Sequence, residues 1–304
     1  MHNPWWRTAL IFIAYALCAS SFSLAKVALD YSTPLFLVGF RMLVAGLLLY
    51  LVCLASGLTQ PIKRKDMPAF GAIVLFHIYG TYVLDLLSLQ YLDAAISAFL
   101  FNLSPFITAL LAYVVLRERI TRKKWLGLCV GFSGIALALL GTPLNAAIGS
   151  GKWWPELLLL GAIVSSCIGW VFVKKLMIHD YSFMYINSLG MLGGGFLALL
   201  TSAYTENWYG AVPVVEWWPF LALTAALIVV CNCLFYNMYG YLLRYYSTTF
   251  LSFAGFTCPL FVVLFQFIFF GQWPDVLFWY SFAIVSLGLY IFYIDELRFA
   301  ATRV

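Results

Sequence analysis

Apolar residues run along this chain in blocks of about 20, the length that carries a helix across a bilayer, and short polar clusters separate the blocks. Cutting at those clusters predicts ten helices, at about 6–27, 33–56, 67–89, 94–116, 124–142, 153–175, 182–204, 216–241, 247–271 and 275–295. The cuts fall on turn and helix-breaking residues: Asp30 to Pro34, Pro61 to Asp66, the basic run 117–124, the Gly/Asn/Ala stretch 141–151, and Lys174 to Asp180. This pattern reads as an all-α membrane protein, with no loop long enough for a separate soluble domain. The opening block has the outline of a signal peptide, Arg7 before an apolar run and Ala19, Ser20 and Ser21 after it. We read it as an uncleaved first helix, because its removal leaves nine helices and breaks the repeat that follows.

Residues 94–139 are echoed from Thr248 onward at a constant offset of 154, which places Ala98 on Ser252, Pro105 on Pro259, Glu118 on Gln272 and Gly134 on Gly288. Two halves result, 1–145 with helices 1–5 and 150–297 with helices 6–10. An odd number of crossings per half forces the second copy to start on the opposite face of the membrane, so the halves are predicted to be inverted. Inverted repeats are the architecture of secondary transporters, which open a midplane site to each side in turn.

Composition agrees. Of 304 residues, 64% are hydrophobic and 10% charged, against about 25% charged in soluble domains. The net charge of +5 gives no reason to expect nucleic acid as a partner, because the positions of the 17 Lys and Arg residues explain it. Putting the amino terminus inside places the basic residues of 63–65, 117–124 and 174–175 on the cytoplasmic side, with Arg7, Arg244, Arg298 and Arg303. Only Lys26 and Lys152 then lie outside, and Arg41 lies within helix 2. Both termini are therefore expected to be cytoplasmic, in an inner (cytoplasmic) membrane. All seven cysteines sit in apolar runs without a CxxC or a His cluster, which predicts small buried hydrophobes and neither metal nor cofactor. The chain has no GxSxG, no HExxH and no paired intramembrane aspartates, so an enzyme is not expected.

An ionisable side chain inside a spanning helix costs about 2.5–3.5 kcal/mol on insertion scales, so each one should face a cavity or a partner. In helix 3, His77, Thr81 and Asp85 recur at four-residue spacing, which shares one α-helical face, with Tyr82 beside them. Asp85 can attract a cationic substrate group or take up a proton, and His77 is a second proton-coupling candidate. The competing reading has Asp85 solvated at the interface and His77 as a structural hydrogen-bonder. Arg41 reads as a structural charge paired with helix-end carbonyls or a carboxylate, and Lys26 as snorkelling to the interface. Asn102, and Asn232 with Tyr236, suit hydrogen bonding to substrate or between helices. Tyr79, Tyr82, Tyr236 and Phe256 lie mid-helix, where rings can stack on a planar or cationic ligand. Pro105 and Pro259 are candidate hinges. Trp5-Trp6, Trp153-Trp154 and Trp217-Trp218 read as boundary anchors. Gly127/Gly131 and Gly190/Gly194 read as close helix contacts, which include a possible homodimer contact.

The arginine in PLFLVGFRMLVAGLLL, the run LSPFITALLAYVVLRERIT, the following GLCVGFSGIAL and the later CPLFVVLFQFIFFG together resemble the EamA branch of the drug/metabolite transporter superfamily. That resemblance implies ten helices in two EamA repeats, with helices 1, 3, 4, 6, 8 and 9 around the substrate and helices 5 and 10 as scaffold. Where that family has Gly-Glu after helix 9, this chain has Gly271-Gln272. The function expected is secondary active transport of a small amphiphilic metabolite, an amino acid or related compound exported or exchanged, with a proton or counter-substrate as partner. The alternative is uptake or exchange of a nucleotide-like cation such as S-adenosylmethionine, and an alternative of another class is a non-transporting receptor or scaffold.

Overall fold

The computed structural model describes residues 4–116, 121–141, 154–206, 208, 212–246, 251, 254–255, 257–271 and 273–301. These are helical throughout, apart from loops and one isolated bridge between Ser32 and Val214. The helices are α1 (Pro4–Ala28), α2 (Pro34–Ala55), α3 (Arg64–Leu89), α4 (94–116), α5 (Arg122–Gly141), α6 (Trp154–Ile178), α7 (Phe183–Thr205), α8 (Trp217–Leu242), α9 (Thr257–Phe270) and α10 (Val276–Ala301). Among them α1, α2, α3, α6, α7 and α8 are long and apolar enough to cross a membrane, and shorter apolar stretches lie at Ile96–Thr108, Thr257–Ile268 and Val276–Phe292. This is a multi-pass, all-helical membrane protein. Of the positions singled out above, Glu118, Lys152, Trp153, Thr248, Ser252, Phe256, Gln272 and Arg303 lie outside the described residues.

Local sequence chemistry sets the helix ends. Pro34 opens α2 behind an extended Thr33, and Pro155 and Pro219 occupy the first turns of α6 and α8, where a missing N–H leaves no bond unmade. Helix α2 closes on Gly57 at φ +65°, with Leu58 N–H donating to Cys53 O at 2.9 Å and Gly57 N–H to Leu54 O at 3.2 Å. This is a Schellman ending. Helix α6 closes the same way, Tyr181 N–H to Leu176 O at 3.3 Å and Asp180 N–H to Met177 O at 3.2 Å, but its left-handed residue is Asp180 at φ +67°.

Two antiparallel helix pairs make the closest packing. Along α2 and α7 the contacts step from Gly39 against Leu199, through Leu43 against Gly195, to Gly46 against Leu192; a Cβ on Gly46 would meet the Leu192 nitrogen at 2.8 Å. Along α5 and α10 they step from Gly127 against Phe292 to Gly134 against Val285, and a Cβ on Gly127 would meet the Gly288 oxygen at 2.6 Å. Gly131 abuts Phe106 and Gly288, and Gly190 and Gly194 abut Ile73 and Ile78 of α3. Both glycine faces named from the sequence are thus occupied within the chain. Around these pairs α1 packs on α8 and α9, and α6 packs on α3 and α4.

The α2–α7 pair is tied at one end by a carboxylate. Just past α7, Glu206 accepts from Leu35 N–H (2.8 Å) and Phe36 N–H (3.0 Å) at the start of α2, and from Thr33 Oγ1 (2.7 Å) and Ser202 Oγ (2.6 Å). A negative group there meets both the free N–H groups and the positive end of the helix dipole. At the start of α3, Asp66 receives Tyr181 Oη at 3.1 Å and contacts His179 Nδ1 at 2.8 Å, which joins α3 to the link between α6 and α7. Helices α3 and α8 each contain an eight-residue π-helical stretch, Ile73–Gly80 and Ile228–Phe235.

A non-glycine residue in the left-handed region costs about 1–2 kcal/mol. Asp180→Gly keeps the carbonyl that accepts Gln60 Nε2 at 2.9 Å while removing that cost, so the variant is expected to gain about 1 kcal/mol, read as a raised midpoint in thermal unfolding of the detergent-solubilised protein.

Candidate functional site

A cavity of about 160 Å³ opens between the helices. Its wall comes from α1 (Tyr15, Cys18, Ser21), α3 (Thr81, Tyr82, Asp85), α4 (Phe101, Asn102, Thr108), α6 (Ser166, Cys167, Trp170), α8 (Cys231, Tyr236, Tyr239), the turn before α9 (Gly255) and α9 itself (Cys258). Helix α2 adds one residue, Arg41, and α5, α7 and α10 supply none of the described lining.

On α3 the π stretch ends at Gly80 and a regular α-helix resumes at Thr81, so Thr81, Tyr82, Asp85 and Leu86 share one face, which lines the cavity. The carbonyl of Phe76, at the wide turns, receives both Thr81 Oγ1 (2.7 Å) and Ser165 Oγ (2.8 Å). His77 lies within the π stretch and leaves the stripe that four-residue spacing implied, because that spacing marks one face only where bonds run i→i+4. It is 1% exposed and does not line the cavity; its ring sits edge-on to Trp170 at 4.5 Å and to Tyr236 at 5.6 Å, and both ring nitrogens lack a hydrogen-bonding partner among the described residues.

Arg41 is 2% exposed, the largest fully buried side chain described. Its guanidinium lies over the Tyr82 ring at 4.8 Å, while Nε and Nη2 have no hydrogen-bonding partner among the described residues. Neither helix-end carbonyls nor a carboxylate pairs with these nitrogens, contrary to the sequence expectation. On the same cavity Oδ1 of Asp85 is likewise buried and unpartnered. A desolvated cation over a ring gains about 2 kcal/mol, whereas leaving one partner of a buried pair alone costs about 3–5 kcal/mol. The deficit points to something entering the cavity. At about 160 Å³ it has ample room for water when no solute is bound, since one water needs only roughly 10–15 Å³.

An aromatic wall adjoins the two charges. Tyr82 Oη donates to Tyr236 Oη at 2.7 Å and joins α3 to α8. Trp170 lies 4.3 Å from Tyr239, 5.7 Å from Tyr236 and 6.1 Å from Phe183. Tyr15 Oη donates to the Leu251 carbonyl.

The EamA-like transporter family matches this sequence over residues 5–140 and 153–294. The chain belongs to that family. Its relatives include the S-adenosylmethionine/S-adenosylhomocysteine transporters of Chlamydia trachomatis serovar L2, 37% identical over 95% of this chain and 89% of theirs, and of Chlamydia muridarum, 35% identical over 95% and 92%. The uncharacterized inner membrane transporter YedA of Escherichia coli K12 is 24% identical over 93% and 91%. A solved crystal structure at 16% identity covers 98% of this chain and 99% of its own with a TM-score of 0.68, a likeness of fold.

Within this EamA-like fold the other residues singled out from the sequence scatter. Tyr82, Asp85, Asn102 and Tyr236 line the cavity together. Tyr79 packs against the main hydrophobic core, and Asn232, inside the second π stretch, turns its Nδ2 to the sulfurs of Met42 (3.2 Å) and Met191 (3.7 Å). Pro105 stands one residue into the α-helical segment that begins at Ser104 after a 3₁₀ turn, and Pro259 stands in the first turn of α9. Both occupy segment starts, not the middle of an unbroken helix. Lys26 reaches the α3 end, where it donates to the carbonyls of Leu89 and of Leu92 (2.9 Å). Trp170, Tyr15 and Tyr239 were missed in the sequence; the signal available for Trp170 was its place inside an apolar block, away from the boundary positions of the other tryptophans.

The Tyr82–Tyr236 bond is open to a double-mutant cycle. Tyr82→Phe and Tyr236→Phe should each destabilise the solubilised protein by about 1 kcal/mol, and the double variant should cost clearly less than their sum. Full additivity in thermal or chemical unfolding would mean that the two hydroxyls act separately.

Proposed function

We propose that this chain carries S-adenosylmethionine, S-adenosylhomocysteine or close analogues across a bacterial inner membrane by alternating access. The observation that carries the proposal is that Arg41 and Asp85, each with buried polar atoms lacking a partner, share one cavity with Tyr82, Trp170, Tyr236 and Tyr239. Such a wall suits a zwitterion with a planar ring system. Relatives at 35–37% identity, named for that substrate pair, favour this reading over amino-acid export, which was the first expectation from the sequence. Drug-sized ligands usually occupy about 300–1,000 Å³, so the cavity at about 160 Å³ admits part of such a molecule and widens to admit the rest.

The architecture proposed is ten crossings in two inverted halves, 1–145 and 150–297, with both termini in the cytoplasm. Several findings support it. The family matches in two stretches that fall on the two halves. Helices five apart in order, α2 with α7 and α5 with α10, pack antiparallel. The packing of α1 on α8 and α9 is mirrored by α6 on α3 and α4. The π stretches start at Ile73 and Ile228, close to the repeat offset read from the sequence. Basic residues concentrated at 63–65, 122–124 and 174–175 support the orientation.

Purified protein in liposomes should take up labelled S-adenosylmethionine, faster when the lumen is preloaded with S-adenosylhomocysteine. Asp85→Asn should lower affinity by about tenfold or more, the scale of one lost charge-assisted bond. Uptake of amino acids but of neither adenosyl compound would reinstate the amino-acid reading.

A further inference from the structure

Resting on that substrate reading, we infer that Arg41 and Asp85 form a two-ended clamp for an α-amino acid head group, Arg41 taking the carboxylate and Asp85 the ammonium. Arg41 reaches the cavity from α2 and Asp85 from α3, each with a buried polar atom unpartnered, and no ion pair joins them. Two groups of opposite sign on one cavity, each with buried polar atoms unpartnered, call for a ligand that brings both signs. A guanidinium suits a carboxylate because its planar fork can donate two parallel bonds. A carboxylate suits an ammonium.

The alternative commits Asp85 to the sulfonium of S-adenosylmethionine. That assignment leaves Asp85 buried and unpaired whenever the demethylated compound is bound, because a thioether carries no charge; leaving one partner of a buried pair alone costs about 3–5 kcal/mol. The amino acid head is the part that the two compounds share, and it neutralises both site charges in either case. The sulfonium then falls to the faces of Trp170 or Tyr236, where a cation over a ring gains about 0.5–2 kcal/mol. Recognition therefore falls on the head group, and the methyl group changes affinity only modestly.

The test is equilibrium binding to the full-length protein in nanodiscs with four ligands: S-adenosylmethionine, S-adenosylhomocysteine, decarboxylated S-adenosylmethionine and 5′-methylthioadenosine. The first two should bind within about tenfold of each other, the expected weight of one cation–π contact. The decarboxylated compound and the nucleoside should each bind at least about tenfold more weakly than S-adenosylmethionine, because each leaves a site charge unmet. This ligand series runs on the unaltered protein and needs no variant that has to fold. Arg41→Gln adds a second readout: where it folds, it should bind the decarboxylated compound and S-adenosylmethionine alike. Methylthioadenosine binding as tightly as S-adenosylmethionine would overturn the clamp and leave the substrate reading standing. Failure of all four to bind would overturn the substrate reading and the clamp with it.

Discussion

An apolar solvent outside the bundle gives a polar group no second chance, so each one must find its partner within the chain, and this constraint orders the whole molecule. Backbone groups meet it by staying helical. Hydroxyls meet it by bonding carbonyls one turn back, as Ser188 does to Tyr185 and Thr201 to Leu197. The carboxylate of Glu206 meets it with four donors at the start of α2. Against this background the residues that leave atoms unpaired stand out, and two of the charged ones, Arg41 and Asp85, adjoin the same cavity.

Much of the helical layout was legible because hydropathy and turn residues report it directly. The blocks read as 33–56, 67–89 and 182–204 correspond to Pro34–Ala55, Arg64–Leu89 and Phe183–Thr205, and Pro34 and Gly57 mark ends of α2 by chemistry that acts within a few residues. The cavity was legible in part. Asp85, Tyr82, Asn102 and Tyr236 were found because an uncompensated polar group or a mid-helix ring is conspicuous in an apolar run.

What was hidden depended on distance or on hydrogen-bond register. Hydropathy does not distinguish i→i+4 from i→i+5 bonding, so the π stretches were invisible and His77 was put on the wrong face. Arg41 was given a partner on general grounds, yet its surroundings are set by α3, which sequence proximity does not relate to α2. The cap that Glu206 places on α2 joins residues about 170 positions apart in sequence. Trp170 fell to a rule about tryptophans at boundaries that holds for most of its kind and failed for the one on the cavity wall.

The tied α2–α7 pair has a mechanical corollary. Backbone contact through Gly46 and Gly195, with Glu206 at the end of α7 capping α2, makes these two helices a stiff strut. Arg41 rides on that strut. Asp85 rides on α3, five residues beyond a wide-turn stretch whose bonding is looser than that of an ordinary helix. Any flexing of α3 therefore shows up as a change in the gap between one anchored cation and one travelling anion, which couples the shape of the protein to the grip on its cargo without any further moving part.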